Sequence, residues 1–207
     1  MPPDAAPARG GKRERNKAEN RQAILDAARE CFLEIGYEAT SIRDVIRRTG
    51  LASGTFYNYF GDKPALLHAL IHHRMEDLTE RLTRVRRTAE DLRDFVHGAY
   101  LAAFESVSTD PVLHTLMLKN ERAIHGFYDA TPMGMSLSAL QADIRDAIDR
   151  DLMPPVDVEY LAAAFYGVGY EMSRVLADDP DRDPGEAARF ATQIFLGGIA
   201  GMPVIPQ

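Results

Sequence analysis

The 207-residue chain is predicted to be all-α, a short three-helix unit in front of a larger helical one. Three observations predict this. Apolar residues recur at intervals of three and four, with no alternating strand-like run and no Asn-Gly or Asp-Gly hairpin signal. Residues suited to helix N-caps stand just ahead of most of these apolar runs. Charge divides the chain: residues 1–63 carry 11 Lys and Arg against 9 Asp and Glu, and residues 64–207 carry 13 against 22. The net charge of −7 therefore resides in the second part.

Residues 1–19 read as a basic disordered arm. Pro2, Pro3, Pro7, Gly10 and Gly11 oppose regular structure, while Arg9, Lys12, Arg13, Arg15 and Lys17, followed by Arg21, outnumber Asp4, Glu14 and Glu19. Such an arm is suited to phosphate contacts.

Residues 20–80 read as one domain. From about Asn20 to Ile35 the positions Ile24, Ala27, Ala28, Cys31, Phe32 and Ile35 form an apolar helix face, and Gly36 stands where a helix ends in the left-handed conformation. Ser41 with Asp44 makes a capping box for a second helix, ended by Gly50. Ser53 is placed to cap a third helix of about one and a half turns. There Phe56 and Phe60, four apart, point inward and leave Thr55, Tyr57, Asn58 and Tyr59 largely outside. Asp62 caps a long fourth helix through Leu66, Leu67, Leu70, Ile71, Met75, Leu78, Leu82 and Val85.

Two helices joined by a tight glycine turn, the second short and polar, are the plan of a helix-turn-helix DNA reader. Ser53 and Gly54 would let the backbone approach a duplex, and Thr55 suits a base edge or a thymine methyl. Tyr57, Asn58 and Tyr59 offer hydroxyl and amide groups, and Lys63, at a helix start, a seat for phosphate.

The segment ILDAARECFLEIGYEATSIRDVIRRTGLASGTFYNYFGDKPALLHAL resembles the tetracycline-repressor (TetR) family of bacterial transcription regulators, most specifically in GTFYNYFGDKPAL. The resemblance implies that Thr40, Ser41 and Arg43 on the second helix, Ser53 to Tyr59 on the third and Lys63 on the fourth face DNA. Ala52 and Gly54 flank Ser53 where many members place a larger or basic residue, which shifts base reading toward Arg43, Thr55 and Asn58. The resemblance also implies repression of transcription from a palindromic operator, and its relief by a small effector.

Residues 81–207 read as a helical effector-binding and dimerisation domain. Helices are predicted from about Asp91 to Val107, from Asp110-Pro111, from Ser136 to Leu152, from Asp157 to about Ala177 and from Asp183-Pro184 to about Gly201. A short recognition helix makes few contacts, so such a reader needs a two-fold partner copy. The last two helices supply the surface, with Tyr160, Leu161, Ala164, Phe165, Val168 and Met172 on one and Phe190, Ala191, Ile194, Phe195, Gly198 and Ile199 on the other. The resemblance implies a four-helix dimer interface at the same place. Aromatic and sulfur side chains gather between the long helix and these two. Tyr100, Phe104, Met117, Tyr128, Tyr166 and Tyr170 are candidate walls of a pocket for a mostly apolar molecule, and Asn120, Glu121 and His125 its polar groups.

An all-α enzyme is the rival reading from another class, but catalytic residues, a metal site and a cofactor are not expected. His72 and Glu76 share a helix face without a second cluster, and the chain lacks a G-x-S-x-G elbow and a glycine-rich phosphate loop. A helical protein-binding adaptor is the other rival. One cysteine, Cys31, excludes an internal disulfide, and the sequence shows neither a leader nor a membrane-spanning run. A cytoplasmic protein that does not enter membranes is expected.

Overall fold

In the computed structural model residues 9–125, 137–150 and 153–199 are described. The described residues form ten helices and divide after Leu70 into two compact units.

The first unit begins with α1 (Arg9–Glu34). This helix starts eleven residues ahead of the expected Asn20, because the Lys12–Glu19 stretch is rich in good helix formers and adds an Arg15–Glu19 pair one turn apart. Ile24, Leu25, Ala28, Cys31 and Phe32 form its buried face. Ile35, expected on that face, is instead half exposed just past the helix end. The chain reverses at Gly36, whose φ of +82° favours glycine.

Helix α2 (Ile42–Thr49) carries the expected capping box. The Asp44 amide donates to Ser41 Oγ at 3.3 Å and the Ser41 amide donates to Asp44 Oδ2 at 2.9 Å. Such a cap contributes about 1 kcal/mol. Gly50, with φ +66°, closes the helix as expected. Helix α3 (Ser53–Tyr57) is five residues long and buries Phe56. Its N-cap is Ala52, which offers no side-chain bond, so Ser53 is the first helical residue rather than the expected cap. Helix α4 (Lys63–Thr88) is preceded by Asp62, whose Oδ1 accepts from the Ala65 amide at 2.7 Å, and its Leu66 and Leu67 complete the core of the unit.

The second unit, from Ile71 onward, contains the rest of α4 with α5 (Leu92–Thr109), α6 (Pro111–Lys119), α7 (Glu121–His125), α8 (Leu137–Asp149), α9 (Val158–Asp178) and α10 (Pro184–Ile199). Asp91, Asp110, Asp157 and Asp183 accept from amides at the starts of α5, α6, α9 and α10, as their sequence positions predict. Helix α5 is central, packed on α9 and α10. Tyr100 stacks on Phe165 at 4.4 Å and on Phe104 at 5.6 Å, and its hydroxyl donates to the Phe165 carbonyl at 3.1 Å. Gly98 permits the close approach of α5 to α4: a Cβ there would stand 2.9 Å from Val85 Cγ1.

Candidate nucleic-acid interface

The first unit presents α2 and α3 with one side outward. On α2, Arg43 and Arg47 are exposed, Arg47 within 3.7 Å of Asp44. The Ser41 hydroxyl and amide, both donating to Asp44, hold that carboxyl below the usual carboxylate range. Ser41 is exposed but its hydroxyl is already committed to the cap. On α3, Ser53, Gly54 and Tyr57 are exposed, Asn58 follows at the C-cap, and Thr55 is half-buried. Tyr57 is 59% exposed and is steadied by an edge-to-face contact with Phe56 at 5.3 Å. Arg43, Ser53, Gly54, Thr55, Tyr57 and Asn58 thus give an outward surface of hydroxyl, amide and guanidinium groups without a carboxylate on α3. That chemistry suits phosphate and base-edge contacts.

Three expected members of this surface have their polar groups engaged within the unit. Thr40 is only 2% exposed, and its hydroxyl donates to the Gly36 carbonyl at 2.7 Å. Its side chain closes the α1–α2 turn and does not face outward. Tyr59 is half-buried, with its hydroxyl accepting from Asn20 Nδ2 of α1 at 3.4 Å. Lys63 differs most. Its ammonium donates to the carbonyls of Tyr37, Glu38 and Thr40 at 2.8, 3.2 and 3.0 Å and sits over the Tyr37 ring, so its three protons are engaged within the unit.

Sequence reasoning missed the contacts that aim this surface. Arg48 of α2 pairs with Glu34 and, at 3.6 Å, with Glu30 of α1. The Arg48 hydrogen bond lowers the Glu34 pKa and raises that of Arg48. Arg21 of α1 lies 5.3 Å from the centre of the Phe60 ring. Residue spacing carries no sign of these pairs, which span from 14 to 39 positions.

The expected effector residues of the second unit separate into groups. Tyr100, Phe104 and Met117 are fully buried in packed core. Asn120 is buried and folds back to donate to the Leu116 carbonyl at 2.8 Å. Glu121 accepts from the Tyr166 hydroxyl at 3.4 Å, and the Tyr166 and Tyr170 rings lie 5.6 Å apart. Tyr128 and the His125 side chain lie outside the described residues.

An open cleft lies elsewhere in this unit, and none of these residues lines it. Its floor is apolar, including Leu92, Phe95, Leu140, Ile144, Leu161 and Phe195, and its rim carries Arg86, Glu90, Asp91, Asp143, Asp146 and Arg150. The cleft is displaced from the expected site because aromatic and sulfur residue types mark burial and do not say whether neighbours fill the space.

A buried polar chain also crosses this unit. Ser173 Oγ donates to the Tyr170 carbonyl at 2.7 Å and so accepts from His114 Nε2 at 2.9 Å. The other ring nitrogen, Nδ1, accepts from Arg74 Nη2 at 3.0 Å, and Arg74 Nε donates to Ser106 at 3.1 Å. Burial and the neighbouring guanidinium push the His114 pKa down to about 3, and burial lowers Arg74 to about 10. His114 is a neutral link joining α4, α6 and α9.

On α9 and α10, the expected pairing residues divide. Leu161, Phe165, Ala191 and Phe195 belong to the core, whereas Tyr160 (76% exposed), Phe190 (58%) and Ile194 (51%) point outward. Gly167, Gly197 and Gly198 have open space where a Cβ would stand. Among the described residues no helix is long and apolar enough to cross a membrane. The His72 and Glu76 side chains form an exposed pair at 3.2 Å within α4.

Residues 24–70 match the family "Bacterial regulatory proteins, tetR family". The chain is 24% identical over 200 residues to the HTH-type transcriptional activator FasR of Mycolicibacterium smegmatis, covering 94% of this chain and 91% of that protein. It is 30% identical over 107 residues to the HTH-type transcriptional regulator BetI of Paraburkholderia xenovorans, covering 51% of this chain and 55% of BetI. The match to BetI thus spans about half of that relative's length. In fold it is similar to the transcriptional regulator FadR from Bacillus subtilis, solved in complex with stearoyl-CoA. That similarity has a TM-score of 0.62 at 19% identity and covers 88% of this chain and 99% of FadR.

Proposed function

From a chain that carries the DNA-binding domain of the TetR family of bacterial transcription regulators, we propose a cytoplasmic homodimeric repressor, without enzymatic activity, that a small effector releases from a palindromic operator. The observation that carries the reading is the outward surface of α2 and α3, where Arg43, Ser53, Gly54, Tyr57 and Asn58 stand clear of the core while Phe56 and Phe60 hold them. Arg43 and Tyr57 supply phosphate contacts, and Asn58 and Thr55 reach base edges in the major groove. A second copy presents the same surface to the next half-site, and the exposed Tyr160, Phe190 and Ile194 with the open glycines of α9 and α10 are the surface through which two copies join. The proposed domain division keeps the reader within residues 20–80, the part from about 81 onward serving effector and partner, with residues 1–19 as a basic extension for phosphates.

Repression is proposed over activation for an effector-released regulator, although one relative, FasR, is an activator. The effector acts through its differential affinity for two conformers that differ in DNA affinity. Titrating the protein into DNA upstream of its own gene tests the reading. A two-copy complex whose affinity falls steeply with salt, by about 0.9 log units per released phosphate contact per log unit of salt, is expected. A complex insensitive to salt, or no complex, is the outcome that favours a protein-binding adaptor.

A further inference from the structure

We infer that the cleft of the second unit is the effector site and that it takes a small amphiphilic cation, an amine or quaternary ammonium on an aryl or short alkyl body. This rests on the reading of the chain as an effector-responsive regulator and names the ligand class.

The walls settle the body of the ligand. Leu92 and Phe95 at the start of α5 are half-buried, beside the buried Leu140, Ile144 and Phe195, so apolar surface remains open to solvent within a concave space. Covering it is favourable for an apolar group of matching size. The open volume is about 120 Å³, room for roughly ten water-sized groups. An aryl-ethyl or hexyl body fits that space.

The rim settles the head. Glu90, Asp91, Asp143 and Asp146 face two guanidiniums, Arg86 and Arg150, which leaves an excess of two negative charges. Both cations are already engaged, Arg86 with Asp143 across the cleft at 2.6 Å and Arg150 with Asp146 at 3.0 Å. Asp91 accepts from the Asp94 amide as the α5 cap. Glu90, exposed in the turn between α4 and α5, has no ion-pair partner among the described residues. A cationic head entering over Leu92 and Phe95 gains this field and the faces of aromatic walls, whereas a carboxylate or phosphate head enters against the net negative charge of the rim and meets only guanidiniums already paired with carboxylates.

The test uses the full-length protein with three compounds that share one body: 2-phenylethylamine, 2-phenylethanol and phenylacetate. Calorimetric titration at low salt is expected to rank the amine tightest, with Glu90→Gln weakening the amine by about twofold to fivefold and leaving the alcohol unchanged. Ala147→Trp, which fills the cleft from α8, is expected to abolish amine binding, with helicity checked by circular dichroism. Equal or tighter binding of phenylacetate or the alcohol, or amine binding that survives Ala147→Trp in a folded protein, overturns the proposal. Operator affinity is followed in the same titrations. An amine that binds the cleft as described but leaves DNA affinity unchanged upholds the site and overturns effector control. Release of DNA by a compound that still acts on the Ala147→Trp variant overturns the site and upholds effector control.

Discussion

The Lys63 ammonium lies 4.3 Å from the centre of the Tyr37 ring and donates to the carbonyl of that same residue at 2.8 Å. With the Glu38 and Thr40 carbonyls also accepting from it, one side chain of α4 ties down the turn from which α2 departs. Lys63→Ala is therefore expected to destabilise the first unit by about 1–3 kcal/mol, because it strips charge-assisted bonds from carbonyls of a part-buried turn. Urea unfolding measures this; a wild-type midpoint would show the ammonium to be dispensable for the fold. Weaker DNA binding by the variant then reports a displaced α2 rather than a lost phosphate contact.

Tyr57 and Phe56 are adjacent in sequence and opposite in burial. Tyr57→Ala, which loses the edge contact with Phe56, is expected to cost about 1 kcal/mol of stability or less while weakening operator binding about threefold to tenfold. Phe56→Ala is expected to cost about 3–5 kcal/mol of stability. Fluorescence anisotropy beside thermal melts separates the two effects, and a Tyr57→Ala protein with unchanged affinity would remove Tyr57 from the interface.

His114 is held neutral, with a pKa near 3 in the fold against 6.5 when free. The unfolded chain therefore takes up a proton that the folded chain refuses. Stability from this group is complete above pH 6.5 and is lost as pH falls toward 3, at a slope approaching 1.4 kcal/mol per pH unit. His114→Asn is expected to flatten that part of the stability curve relative to wild type. Parallel slopes for the two proteins between about pH 6.5 and 4.5 would show that the histidine titrates freely.

Phe190 and Ile194 stand outward one turn apart on α10. Phe190→Glu is expected to convert a dimer to a monomer with unchanged helicity, since a buried unpaired carboxylate opposes association. Static light scattering at micromolar concentration decides it, and a variant that stays dimeric would place the interface elsewhere.

What the sequence disclosed follows the range of the interaction. Caps and left-handed glycines depend on neighbours three or four positions away, so Ser41, Asp44, Gly36, Gly50, Asp62, Asp91 and Asp110 were legible. The burial of Phe56 and Phe60 followed from spacing alone. The engagement of Thr40, Tyr59 and Lys63 within the unit is not legible, because their polar groups meet carbonyls or an amide that no periodicity reveals. Tyr100 and Phe104 have the residue types of a ligand wall, but stacking with Phe165 fills the space beside them. The cleft lacked a signature because its floor looks like any other core face in the sequence.

Helix α3 has one consequence for how this chain diversifies. Of its five residues only Phe56 is buried, while Ser53, Gly54 and Tyr57 are exposed. Exchanges at those three exposed positions each change stability by about 1 kcal/mol or less, so the reading tip is a replaceable part on a fixed mount. Operator preference is then free to drift among descendants of this chain while Phe56, Phe60 and Leu66 keep the mount unchanged.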